Sequence, residues 1–136
     1  MIYLDANIFA YSFLSEDEKA HLCRKILAKV ADKEIAAFTS ALTWDEITWA
    51  ARKNLGLEDA KEEGRKFAEF PFLNILDANS IIIGIAQQLV ERYGIKPRDA
   101  IHAATAIANG IRELVSDDPD FDAIKEIKRV PIEKFR

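Results

Sequence analysis

Apolar residues along the chain fall into two rhythms: short continuous runs of four to six, and longer stretches where they recur every third or fourth position. Continuous runs suit strands of a parallel sheet covered on both faces, and the longer spacing suits amphipathic helices. Ile2-Tyr3-Leu4 is the first run, and it stops on Asp5 and Asn7 before a short apolar segment over 8–14. Ser15-Glu16-Asp17-Glu18 then opens a helix with acids near its positive end, and Ala20, Cys23, Ile26, Leu27, Val30 and Ala31 mark its apolar face. A second strand is expected over 35–39. Ser40 starts a third helix carrying Leu42, Ile47, Trp49, Ala50 and Ala51, which ends at Asn54-Leu55-Gly56. Further helices are expected over 57–70, stopped by Pro71, and over 81–92, closed by Tyr93-Gly94, with a third strand over 72–76 between them. Pro97 sets the start of an alanine-rich helix. A fourth strand over 111–116 runs into Asp117-Asp118-Pro119-Asp120-Phe121, and Lys128-Arg129-Val130-Pro131-Ile132 reads as an edge strand because Pro131 is poorly tolerated in a sheet centre.

Strands alternating with helices through short loops predict an α/β fold with a central, mainly parallel sheet and right-handed crossovers. At 136 residues the chain fits a single domain, expected over 1–136, with no repeat or interdomain linker. No apolar run reaches the roughly 18 residues of a membrane span, and Asp5 interrupts the place where a signal peptide needs its hydrophobic stretch, so a cytoplasmic protein is expected. A single cysteine, Cys23, excludes an internal disulfide and fits a small core residue. The net charge of -4 argues against a broad basic nucleic-acid-binding face, but it leaves room for a nuclease whose own carboxylates bind cations.

The acids carry the chemistry. Asp5 follows the first strand, at the carboxyl edge where open α/β sheets bind ligands, although Asp5 or Asn7 also suits a helix cap there. Glu46 sits among apolar positions of a helix, Asp99 lies in the first turn of the alanine-rich helix, and Asp117 or Asp118 follows the fourth strand. Taken singly, Glu46 reads as solvated and Asp99 as a partner of the helix dipole. Together they form a set of hard oxygen donors of the kind Mg2+ or Mn2+ prefers. Without a cation such a set repels itself, and with one it suits phosphodiester hydrolysis. His102 offers no second histidine at ligand spacing and is expected to hydrogen-bond in the interior. A glycine-rich phosphate loop, a nucleophilic serine motif and a zinc spacing are absent from the sequence.

Four stretches, taken in order, resemble the PIN-domain family and, within it, the VapC toxins of type II toxin-antitoxin pairs. They are Tyr3-Leu4-Asp5-Ala6-Asn7-Ile8-Phe9, Thr39-Ser40 through Glu46, Arg98-Asp99-Ala100-Ile101-His102-Ala103-Ala104-Thr105-Ala106, and Val115-Ser116-Asp117-Asp118-Pro119-Asp120-Phe121. The resemblance implies a three-layer α/β/α sandwich and a magnesium- or manganese-dependent ribonuclease. It matches Asp5, Glu46, Asp99 and Asp118 to the family's acidic quartet, with Asn7 and Ser116 as supporting polar residues. The register of the last motif selects Asp118, while Asp117 stays a neighbouring candidate and Asp120 a supporting one. The resemblance also implies a homodimer and a small antitoxin covering the acidic groove.

On this reading Asp5, Asp99 and Asp118 bind one ion, and Glu46 helps with a second or orients the attacking water. Arg52, Lys53, Lys96 and Arg98 are candidate phosphate contacts because they neighbour Glu46 or Asp99 in sequence, and each also reads as an ordinary surface charge. The apolar helical stretches around Ala20 to Val30 and Trp44 to Ala51 are candidate partner surfaces, with Trp44 and Trp49 equally suited to the core. Two rival functions stand beside this one. A haloacid-dehalogenase-type phosphatase also places an aspartate after its first strand, but needs a second acid where this chain has Asn7. A non-catalytic interaction module, or an RNA-processing nuclease outside a toxin-antitoxin pair, uses the same residues.

Overall fold

The computed structural model describes residues 1–135. Five parallel strands, β1 (Ile2–Leu4), β2 (Ala37–Ser40), β3 (Asn74–Leu76), β4 (Glu113–Val115) and β5 (Lys128–Val130), form one sheet in the order β3-β2-β1-β4-β5. Six helices connect or follow them: α1 (Ala6–Leu14), α2 (Glu18–Ala31), α3 (Leu42–Leu55), α4 (Leu57–Ala68), α5 (Ser80–Tyr93) and α6 (Pro97–Ala108). The first strand is therefore the centre. Tyr3 is in register with Phe38 of β2 on one side and Leu114 of β4 on the other. The expected edge strand is β5, in which Pro131 lies just past the last paired residue, Val130.

Alternation along β1 divides the core. Leu4 packs with Ile8, Phe9, Cys23, Ile26, Val30, Ile47 and Phe67 on the face covered by α1 to α4. Tyr3 packs with Leu89, Ala100, Ala103, Ala104 and Phe121 on the face covered by α5 and α6. This is the expected three-layer α/β/α sandwich. Each fully buried Leu or Ile contributes roughly 1.5–3 kcal/mol by leaving water, which lets a strand of only three residues hold its place. Small residues on α6 bring its backbone close to the sheet: Ala100, Ala103, Ala104 and Ala106 have no exposed surface.

Several boundaries differ from the sequence reading for local reasons. α1 starts at Ala6, ahead of the apolar segment over 8–14, because the Asp5 carboxylate accepts a 2.7 Å hydrogen bond from the Ala6 amide. β3 starts at Asn74 rather than at residue 72, because Phe72 has φ +61°, which no strand residue adopts. Gly56 and Gly94 end α3 and α5 with φ +107° and +65°, conformations that favour glycine. The apolar face of α2 is turned into the protein's own core, so the stretch from Ala20 to Val30 does not offer the exposed partner surface that the sequence suggested. Trp44 and Trp49, in contrast, are 51% and 56% exposed. No helix among the described residues is long and apolar enough to cross a membrane.

Candidate functional site

The carboxyl edge of the sheet gathers the acids. β1 ends at Leu4 and delivers Asp5, which stays 7% exposed. β4 ends at Val115 and delivers Ser116 beside it, and the Ser116 hydroxyl donates to Asp5 Oδ2 at 2.6 Å. The same hydroxyl oxygen accepts from the Asp118 amide at 3.0 Å and from Asn7 Nδ2 at 3.3 Å. Ser116 thus joins the ends of two neighbouring strands and fixes where the following acids begin. Pro97 starts α6 at this edge and places Asp99 in its first turn. Glu46 arrives from α3, whose start is tied to β1 through Thr39. The Thr39 hydroxyl donates to the Leu4 carbonyl at 2.7 Å and lies 2.8 Å from the Thr43 hydroxyl. Ser40 Oγ accepts from the Leu42 amide, as expected of a polar helix start.

Glu46, Asp99 and Asp118 line one cleft of about 560 Å³, together with Lys96, Pro97 and Arg98. At its edge, carboxylate oxygens of Asp99, Asp118 and Asp120 lie within 4.8 Å of one another. Asp118 Oδ1 accepts from the Asp120 amide at 2.9 Å, so a tight turn holds those two side by side. On the other flank, His102 Nε2 lies 2.5 Å from Glu46 Oε1 and 3.7 Å from Asp5 Oδ1. The buried imidazole stands between two carboxylates.

Burial pushes the Asp99 carboxyl up to about 6, with the charges of Asp118 and Asp5 adding to the rise. Burial also raises Asp5, against the opposing pull of His102 and the Ser116 hydrogen bond. For His102, burial alone lowers basicity, but the hydrogen bond to Glu46 and the charge of Asp5 outweigh it and hold the imidazole above its ordinary value. Carboxyls raised by burial, with like charges adding to the rise at Asp99, mark a site short of positive charge. Asp99 Oδ2 is buried without a hydrogen-bond partner, as is Asn7 Oδ1. Orphaned acceptors of this kind are rare in folded proteins. Three carboxylates within mutual ligating reach, one with a buried free oxygen, fit a hard divalent cation. Asp99, Asp118 and Asp120 are the residues that would hold it, with Asp5 and Glu46 adjoining.

The remaining predicted residues divide. Asp117 points away from the cluster and pairs with Lys19 of α2. Lys96 lies 3.6 Å from Asp120 and lines the cleft with Arg98. Arg52 lines a different groove, between α3 and α4, with Trp44, Trp49 and Leu57, and Lys53 is exposed near the end of α3. Sequence reasoning gave His102 its buried, hydrogen-bonded place but not its partners. The available signal was spacing: Tyr3 shares a strand face with Asp5, and His102 lies three residues beyond Asp99 on one helix face.

Known proteins share this fold. A family model for the PIN domain matches residues 2–127. Ribonuclease VapC2 of Methanocaldococcus jannaschii is 27% identical over 143 residues, covering 96% of this chain and 93% of that protein. Ribonuclease VapC7 of Mycobacterium tuberculosis is 29% identical over 133 residues, covering 96% and 90%. Among solved structures, Mycobacterium tuberculosis VapC20, a toxin that cleaves the sarcin-ricin loop, superposes with a TM-score of 0.78 at 16% identity, covering 92% of this chain and 95% of that one. VapBC2 of Rickettsia felis, bound to a promoter DNA fragment, gives 0.73 at 23% identity, covering 96% and 98%. With a family model spanning nearly its whole length and solved members sharing its fold, the chain belongs to the PIN domain family.

Proposed function

We propose that this protein is a divalent-metal-dependent ribonuclease, acting as the toxin of a toxin-antitoxin pair. The observation that carries the reading is the cleft in which Glu46, Asp99 and Asp118 converge from three separate elements, with Asp99 Oδ2 buried and unpartnered. Relatives of similar length named as ribonucleases support the substrate. A solved toxin-antitoxin complex from Klebsiella pneumoniae with the same fold supports an antitoxin partner. Exposed Trp44 and Trp49 are candidates for that contact or for a homodimer, since large aromatic side chains anchor protein interfaces.

Mg2+ or Mn2+ held by Asp99, Asp118 and their neighbours would supply Lewis-acid stabilisation of charge on the phosphate oxygens and favour ionisation of water. The chain's own groups do the rest. Glu46, bonded through Oε1 to His102, keeps Oε2 to orient the attacking water and accept its proton. Lys96 and Arg98 at the rim face the incoming phosphates and offset the acidic field. Asp5, fixed by Ser116 and the Ala6 amide, supplies negative charge beside the cleft without freedom to swing away. Attack in line breaks the P–O3′ bond and leaves a 3′-hydroxyl on one product and a 5′-phosphate on the other.

The test is cleavage of a pooled cellular RNA by wild type and Asp99→Asn, with Mn2+ and with a chelator, followed by mapping of product ends. Cleavage that needs metal and Asp99 and leaves 5′-phosphates is expected. Metal binding with no cleavage of any pool would instead favour a non-catalytic interaction module.

A further inference from the structure

His102 has no exposed surface, whereas His21, the chain's other histidine, is exposed. Both of its ring nitrogens are engaged. Nδ1 lies 2.7 Å from Tyr3 Oη, and Nε2 lies 2.5 Å from Glu46 Oε1. The tyrosine ring meets the imidazole edge-on, with centroids 5.7 Å apart and planes at 68°. An imidazole bonded at both ends and packed on all sides has one available plane, and the group it bonds inherits that orientation.

The chain of bonds joins the two helical layers. Tyr3 belongs to the central strand, His102 to α6 on one face, and Glu46 to α3, which packs on the opposite face. The Nε2–Glu46 bond therefore crosses the carboxyl edge of the sheet, where the acids converge. Glutamate has three side-chain torsions and lies on a part-exposed helix face, so nothing in α3 alone would hold its carboxylate toward the cleft. Asp5 Oδ1, 3.7 Å from the same nitrogen, would repel it.

We propose that His102, backed by Tyr3, is a positioning residue that acts through Glu46: its Nε2–H donates to the carboxylate and fixes it beside Asp5 at the cleft. This role rests on the ribonuclease reading above. Occupying Oε1 leaves Oε2 as the working oxygen, and screening Glu46 from Asp5 lets both acids face one cleft. Tyr3 keeps the ring from rotating away.

The experiment compares His102→Gln, His102→Leu and Tyr3→Phe with wild type by two readouts. A glutamine amide nitrogen takes roughly the place of Nε2 and can still donate to Glu46, whereas leucine cannot. Long-range ¹H–¹⁵N spectra of metal-free wild type should show a proton on His102 Nε2 whose resonance moves in Glu46→Gln. In RNA cleavage at saturating Mn2+, His102→Leu should lose about 10- to 100-fold in kcat, the usual range for loss of a group that orients a site residue. His102→Gln should recover most of that loss with KM unchanged, and Tyr3→Phe should fall between. An unprotonated Nε2, or folded Gln and Leu variants slowed equally, would overturn the positioning role alone. A wild type that cleaves no RNA would instead overturn the ribonuclease reading on which it rests.

Discussion

Asp99→Asn should make the metal-free protein more stable while removing its response to metal. The rise of Asp99 from 3.8 to about 6 corresponds to about 3 kcal/mol of penalty on the ionised carboxylate, at about 1.36 kcal/mol per pKa unit. Asp99 is only part-buried, and solvent screening reduces this to about 2 kcal/mol. Its place in the first turn of α6 returns about 0.3–1 kcal/mol through the helix dipole. A net gain of about 1–2 kcal/mol is left for the neutral amide, or about 3–8 °C in Tm for a chain of this size.

The sign follows from proton linkage. The folded state holds the Asp99 proton up to about pH 6, while the unfolded chain loses it near 4, so between those values the folded state binds more protons. The penalty is therefore full above about pH 6 and fades as pH falls toward 4. Thermal unfolding in a chelator should show the variant ahead of wild type at pH 8 and level with it near pH 4. Adding Mn2+ at pH 8 should raise the wild type by mass action and leave the variant nearly unmoved, reversing the order. A variant less stable than wild type at pH 8 in chelator, or one that gains as much from Mn2+, would refute the reasoning.

The two adjacent acids after β4 should separate in function. Asp118→Asn is expected to slow RNA cleavage on the order of a hundredfold, the scale set by removing a charge-stabilising group. Asp117→Asn should cost far less activity and, through the lost Lys19 pair, under about 1 kcal/mol of stability; the reverse ranking in a cleavage assay would move the site. Gly64→Ala should destabilise the contact of α3 with α4, because the new Cβ would meet Thr48 Cγ2 at 2.7 Å and Trp44 Nε1 at 3.1 Å. Overpacking of about 1–3 kcal/mol against about 1 kcal/mol of helix propensity predicts a net loss of about 1 kcal/mol. The urea midpoint should fall at constant slope, and a midpoint that rises would show that Thr48 yields freely.

What could be read from the sequence was what local pattern controls. The apolar run before Asp5 and the small-residue face after Asp99 each declare a strand or helix and place an acid at its end, so β1, α6 and their acids were legible. The start of β3 was not, since nothing in Phe72 signals a left-handed backbone. The pairing of Lys19 with Asp117 spans 98 positions, and that of His102 with Glu46 spans 56. Local rhythm carries no information over such distances. The exposure of Trp44 and Trp49 depends on how α4 lies against α3, and it stayed open for the same reason.

The hydroxyl of Ser116 meets the carboxylate of Asp5 across 111 positions of chain. That contact, like the pairing of Tyr3 with Leu114, has very high contact order, and closing so long a loop is slow. During synthesis the central strand emerges before the other four and waits for its second neighbour until residues 113–115 emerge. Asp118 follows later still. A nascent or truncated chain therefore lacks the assembled cleft, and whatever chemistry the gathered acids perform begins only when translation of the domain is almost finished.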